Sequence, residues 1–140
     1  MNKEWARFNR LSHRQDELYH QFAVRAGISD SQFWVLYALC ESGGCLSQRT
    51  FCEKWSISKQ TVNAAVAALQ KAGLITMEYA QGSRKQKEIR LTSQGEQFAQ
   101  EHILPVMEAE CAAIMTLDET QRKQFMDTMD RLLDMLEKQG

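Results

Sequence analysis

Long apolar runs are missing from this 140-residue chain, as are paired cysteine motifs and all but one proline. No window approaches 18 consecutive apolar residues, and no charged-then-apolar leader opens the chain. The expectation is therefore a soluble, cytoplasmic protein with no membrane contact. The four cysteines, Cys40, Cys45, Cys52 and Cys111, show neither CxxC nor zinc-ribbon spacing. In a reducing compartment they should be free, mostly buried thiols, and of Cys45 and Cys52 the former, beside Gly43-Gly44, should be the more exposed. His13, His20 and His102 are scattered, and Glu101-His102 is the only adjacent acid–histidine pair, so no metal site is expected. No nucleophile–base pair, phosphate loop or recognisable carboxylate pair occurs, which points away from an enzyme and from any cofactor. Repeats, low-complexity tracts and flexible linkers are also lacking.

What is present is an ordinary globular composition, 44% apolar, in a chain long enough to bury one core. The net charge of −1 hides a marked asymmetry. Residues 46–91 carry eight Lys/Arg against three Glu, a local charge of +5, whereas residues 92–140 stand at −6 and residues 1–45 balance. Concentrated basic charge on one segment is the electrostatic footprint of a nucleic-acid reader.

That basic segment also has the most specific pattern. Ser47 can cap a short helix to which Leu46, Phe51 and Trp55 give an apolar side. Ser56-Ile57 makes a turn, Ser58 caps a second helix from about Lys59 to Ala72, and Gly73 supplies the positive φ that ends it. Val62, Val66 and Leu69 form its buried stripe at i, i+4, i+7. The remaining faces hold Ser58, Lys59, Gln60, Thr61, Asn63 and Ala64, short and polar enough to approach a major groove. There Gln60 and Asn63 can address base edges while Lys59 and Thr61 reach phosphates or flanking bases. Residues 74–79 and 87–92 read as two strands joined by a Gln81-Gly82-Ser83 turn, with Arg84, Lys85 and Lys87 at the tip. A basic hairpin after a reading helix is a wing that can contact backbone or minor groove.

The segment SISKQTVNAAVAALQKAGLI, the wing, and the closing LTSQGEQFA resemble the MarR family of bacterial winged-helix regulators. In that family a Leu-Thr pair followed by Gly marks the passage from wing to long helix; here these are Leu91, Thr92 and Gly95. Two departures stand out. Ser83-Arg84-Lys85 replaces the family's Asp-x-Arg at the wing, and Ala64 stands where an arginine is common in the reading helix. The resemblance implies a mainly α fold: a winged helix-turn-helix with a two-stranded β wing, flanked by N- and C-terminal dimerisation helices. All of 1–140 is then one domain, with the winged helix-turn-helix at 29–92 and dimerisation helices at 1–28 and 93–140.

The flanks agree with that reading. Residues 2–26 form an amphipathic helix with Trp5, Phe8, Leu11, Leu18 and Phe22, stopped by Gly27. Ser29 and Gln32 make a capping box that opens a central helix apolar nearly all round, with Phe33, Trp34, Leu36, Tyr37 and Leu39. Thr92 should cap a long helix through about Met115, bent at Pro105, and Thr116-x-x-Glu119 should box a last one bearing Phe125, Met129, Leu132, Leu133 and Leu136. Terminal helices with an apolar face and no internal partner suit a homodimer.

The function implied is a DNA-binding regulator, a homodimeric repressor of pseudo-palindromic operators in double-stranded DNA, relieved by a small ligand. In the family, small aromatic or amphipathic effectors lodge between the dimer helices and the winged helix, and Trp34 and Tyr37 have polar tips that could orient one. Two alternatives stay open: a cysteine-based redox-responsive regulator, or a winged-helix protein-interaction module without DNA targets.

Overall fold

A computed structural model describes all residues, Met1–Gly140, as seven helices and three short strands in two compact units, Met1–Pro105 and Val106–Gly140. In the first unit, α1 (Lys3–Ala26) starts at Asn2, whose side chain accepts from the backbone N–H of Trp5 at 2.7 Å. It ends at Gly27, with φ of 74°. α2 (Asp30–Glu41) opens on the expected Ser29–Gln32 capping box. Phe33, Val35, Leu36, Ala38 and Leu39 are all buried there, so α2 is the central helix of the core. Each large side chain removed from water in this way contributes about 2 kcal/mol.

Around α2 stand β1 (Cys45–Ser47), α3 (Gln48–Trp55), α4 (Lys59–Lys71), β2 (Ile75–Tyr79), β3 (Lys87–Leu91) and α5 (Ser93–His102). The sheet has the order β1-β3-β2, all antiparallel. Ile75 faces Leu91 and Tyr79 faces Lys87 across the wing. The first strand, which pairs Leu46 with Ile89, is an addition to the expected two-stranded wing. Leu46 therefore belongs to this strand rather than to the helix that follows. Three residues are too few for period-two alternation to show, so the pairing is visible only in three dimensions.

Thr92 explains why the Leu-Thr…Gly pattern must be spaced as it is. Its hydroxyl donates to the Gly73 carbonyl at 2.6 Å and accepts from the Gly95 N–H at 3.0 Å, while its own N–H bonds the Leu74 carbonyl. One threonine thus caps α5 and ties it to the end of α4. At Gly95 a Cβ would lie 1.9 Å from the Leu74 carbonyl oxygen, so no side chain fits.

The long helix expected from Thr92 to Met115 is two helices. α5 stops at His102, Ile103 is a turn, and α6 (Leu104–Met115) restarts the spiral. Pro105 has no N–H to give to the Glu101 carbonyl, and its ring would collide there. In the first turn of a new helix the same residue costs nothing.

In the second unit α7 (Glu119–Glu137) begins on a capping box, made by Asp118 and Gln121 rather than by Thr116 and Glu119. The Thr116 hydroxyl instead donates to the Ala113 carbonyl, closing the preceding helix. No residue of α7 is buried. No helix of the chain is long and apolar enough to cross a membrane.

Candidate nucleic-acid interface

The helix-turn-helix is made by a tight, three-residue connection. Ser56 takes the left-handed conformation, with φ of 50°, to end α3. Ser58 then caps α4: its hydroxyl oxygen accepts from the Thr61 N–H at 3.2 Å and bonds the Thr61 hydroxyl at 2.8 Å. Both hydroxyls are therefore engaged at the start of the reading helix, fixing its first turn. Val62, Ala65, Val66 and Leu69 are buried, which sends Lys59, Gln60, Thr61, Asn63 and Ala64 to the exposed side. The expected stripe is present, widened by Ala65.

The wing carries its own brace. Gly82, with φ of 76°, makes the turn, and Ala80 bonds both Gln86 and Ser83 through the backbone. The Ser83 hydroxyl accepts from the N–H groups of Lys85 and Gln86, at 3.2 and 3.1 Å. An uncharged oxygen thus orders the tip backbone at the position that the aspartate holds in the Asp-x-Arg pattern. Lys87 lies over the Tyr79 ring, 5.6 Å from its centroid.

Between these elements lies a concavity of about 620 Å³, lined by Gln48 and Arg49 of α3, Lys59 and Asn63 of α4, and Lys85, Gln86 and Lys87 of the wing. The geometry joins Lys59, Asn63, Lys85 and Lys87 in one place. Gln60, Thr61, Ala64 and Arg84 are exposed but do not line it. Gln48 and Arg49 were not foreseen. The signal available in the sequence was their place directly after the Ser47 cap, at the N-terminal end of α3. Gln48 Nε2 donates to Asn63 Oδ1, linking the two helices of the motif.

Ion pairing decides which cations are free to meet an anion. Arg49 pairs with Glu53, Lys54 with Glu41, and Arg90 with Glu78 and Glu88. Lys59, Arg84, Lys85 and Lys87 have no carboxylate partner. Within the basic segment 46–91, the cations without a carboxylate partner are Lys71, near the end of α4, and Lys59, Arg84, Lys85 and Lys87, which stand at the start of the reading helix and at the wing.

Trp34 and Tyr37 belong to a continuous ring cluster. Trp34 contacts Tyr19, Phe33, Tyr37 and Trp55 with centroids 5.0 to 5.2 Å apart, and Tyr37 also reaches Trp55 at 5.8 Å. Trp55 Nε1 is buried without a hydrogen-bond partner. Among the thiols, Cys111 is the exposed one, and Cys40, Cys45 and Cys52 are all half-buried. Strand pairing through β1 covers Cys45, whose sulfur donates to Glu88 at 3.2 Å. Burial first, and then Glu88, raise its pKa above the ordinary thiol value, and burial does the same for Cys40. Both thiols are thereby held in the unreactive protonated form.

Residues 26–86 match the family model described as MarR family. No curated protein sequence matches the chain. Among solved structures, NMB1585, a MarR family regulator from Neisseria meningitidis, superposes with a TM-score of 0.80 at 23% identity, covering 99% of this chain and 96% of that one. MepR of S. aureus, in its DNA complex, gives 0.73 at 21% identity, over 97% and 98%. NadR in complex with 4-hydroxyphenylacetate gives 0.71 at 20% identity, over 89% of each chain. At such identities the likeness establishes the fold. Residues 26–86 are thus similar to the MarR family model, and the whole chain has the fold of solved MarR family regulators.

Proposed function

We propose that the protein is a homodimeric, sequence-specific DNA-binding repressor whose grip on a pseudo-palindromic operator is released by a small ligand. The observation that carries this reading is the gathering of four unpaired cations, Lys59, Arg84, Lys85 and Lys87, around an amide-bearing helix of suitable size for a major groove. Lys59, Arg84, Lys85 and Lys87 bind phosphates; Gln60 and Asn63 address base edges; Ser58, Thr61 and Ala64 let the backbone of α4 approach closely. No step of this function is catalytic and none requires a cofactor.

The second copy is argued from exposed apolar surface. Trp5, Phe8, Leu11 and Leu18 on α1 are 42–52% exposed, and Phe125, Leu132, Leu133 and Leu136 on α7 are 37–52% exposed. Apolar surface of this extent along long helices is what an obligate partner covers. With residues 1–28 and 93–140 as the interface and 29–92 as the reading part, a two-fold dimer can place two α4 helices roughly 34 Å apart, one DNA turn.

The effector is proposed to act at the ring cluster. A buried Trp55 donor beside Trp34 and Tyr37 would suit an aromatic ligand bearing an acceptor such as a carboxylate. That NadR is found with an aromatic acid supports this chemistry. To switch the dimer almost completely, the ligand must favour one spacing of the reading helices by about 5 kcal/mol.

Selection of fragments bound from the source genome tests the function directly. Enrichment of short inverted repeats is expected, and Asn63→Ala should cost about 1–3 kcal/mol on them with little change on random DNA. Recovery of no common sequence would overturn the reading.

A further inference from the structure

The pairing of Gln48 with Asn63 bears on which base is read, and the inference rests on the DNA-binding function proposed above. An asparagine in a major groove ordinarily suits adenine, because its oxygen accepts from N6 while its nitrogen donates to N7. Here Gln48 Nε2 already donates to Asn63 Oδ1. An amide group is planar, with oxygen and nitrogen on opposite edges. Turning Oδ1 toward α3 leaves the two Nδ2–H donors on the edge that can meet a base. Lys59, one helical turn earlier on α4 and lining the same concavity, offers donors only, as do Arg49, Lys85 and Lys87. Gln86, and Gln48 through its Oε1, are the other residues there with an acceptor in the side chain.

A surface of this kind complements the base edge richest in acceptors. Guanine presents N7 and O6 together in the major groove, whereas adenine presents one acceptor beside a donor. We infer that Gln48, though on the first helix of the motif, is the positioning residue for base selection: it fixes the Asn63 amide so that α4 prefers guanine to adenine at the position Asn63 meets. The specificity is then a property of the pair. Replacing Gln48 with an acceptor-only side chain forces Asn63 to rotate by half a turn and offer its oxygen instead.

The test is selection from a pool of randomised duplexes by the full-length protein and three variants. Wild type is expected to enrich guanine roughly tenfold over adenine at one position in each half-site. Gln48→Lys keeps a donor and should preserve guanine. Gln48→Ala removes the constraint and should flatten the preference to about twofold or less, a loss of one oriented hydrogen bond. Gln48→Glu can only accept, so it should reverse the preference toward adenine or cytosine, whose exocyclic amines donate. Its carboxylate at the N-terminal end of α3 also favours the helix, so folding is preserved, and circular dichroism checks this. Replacing the selected guanine with 7-deazaguanine should weaken wild type by about tenfold and Gln48→Glu hardly at all. If all four proteins select the same base at that position, Gln48 does not position Asn63 and the inference falls. If wild type enriches no sequence from the pool, DNA reading itself is overturned, and this inference with it.

Discussion

α2 and α7 are both helices rich in large apolar side chains, yet one buries Phe33, Val35, Leu36, Ala38 and Leu39 in the core and the other buries nothing. The difference lies in how the apolar residues are distributed. α2 carries them on every face, as Phe33, Val35, Leu36, Ala38 and Leu39 with Trp34 and Tyr37 between, so nothing short of enclosure satisfies it. α7 carries them along one side, with Asp127, Asp130, Asp134, Arg131 and Lys123 on the others. Its hydrophobic face requires a cover but does not specify one within its own chain. Amphipathicity thus reports that a face will be buried, and the solved fold reports whether the chain itself supplies the partner.

The widest gap between the two helices should appear when a charge is placed on the α7 face. Leu132→Asp with Leu136→Asp leaves the core of the first unit untouched, but should convert the dimer to monomer and lower operator affinity by at least a hundredfold, because one reading helix then binds alone. Sedimentation and operator titration measure both effects; a folded dimer with full affinity would refute the proposed interface. Truncation separates the helices more finely. Leu36→Ala, at a site with no solvent exposure, should cost about 3 kcal/mol independently of protein concentration. Leu133→Ala, at a site 47% exposed, should change the unfolding midpoint only through dimerisation, so its effect should vanish on dilution. Equal, concentration-independent losses would mean that the α7 face is closed within one chain.

Gly95→Ala probes the junction between reading helix and wing. The added methyl must displace the Leu74 carbonyl, at a cost of about 2–3 kcal/mol seen in thermal unfolding. A near-neutral result would show the junction to be pliable. At the wing, Arg84→Ala with Lys85→Ala should weaken binding to every duplex alike and make the salt dependence shallower by about two units per protomer. An unchanged slope would leave the tip in solvent.

The smallest effect concerns pH. His20 Nδ1 lies 2.8 Å from Asp30 Oδ1, joining α1 to the start of α2, and this bond, with the aspartate charge, raises the His20 pKa above 6.5. A raised folded-state pKa contributes stability that is complete below the unfolded value of 6.5 and is lost as pH rises through the folded one. Stability should therefore drift slightly downward on going from just below pH 6.5 to the alkaline side. Asp30→Asn should flatten that drift, and an unaltered profile would assign it elsewhere.

Much of this architecture was legible in the residues themselves. Gly27, Ser29, Ser47, Ser58, Gly73 and Thr92 stand at the termini their chemistry predicts, because a cap is a local bargain among neighbours in the chain. What escaped was non-local or finely balanced. The strand Cys45–Ser47 exists only through its pairing with 88–90. The choice of Asp118 over Thr116 as the last N-cap turned on two residues of helix length. At the interface, the pattern on α4 identified Lys59 and Asn63, but not Gln48 and Arg49, which reach the same concavity from a different helix. No periodicity along the chain encodes that approach.

The central claim is that the cations around α4 and the wing bind DNA phosphates in a two-fold dimer, and salt tests it most directly. The affinity of the full-length protein for a duplex selected from its source genome should be measured across a range of monovalent salt. With Lys59, Arg84, Lys85 and Lys87 from each of two protomers, the logarithm of the affinity should fall against the logarithm of salt concentration with a slope of about −7. A slope near zero, or the absence of any bound duplex at low salt, would contradict the account.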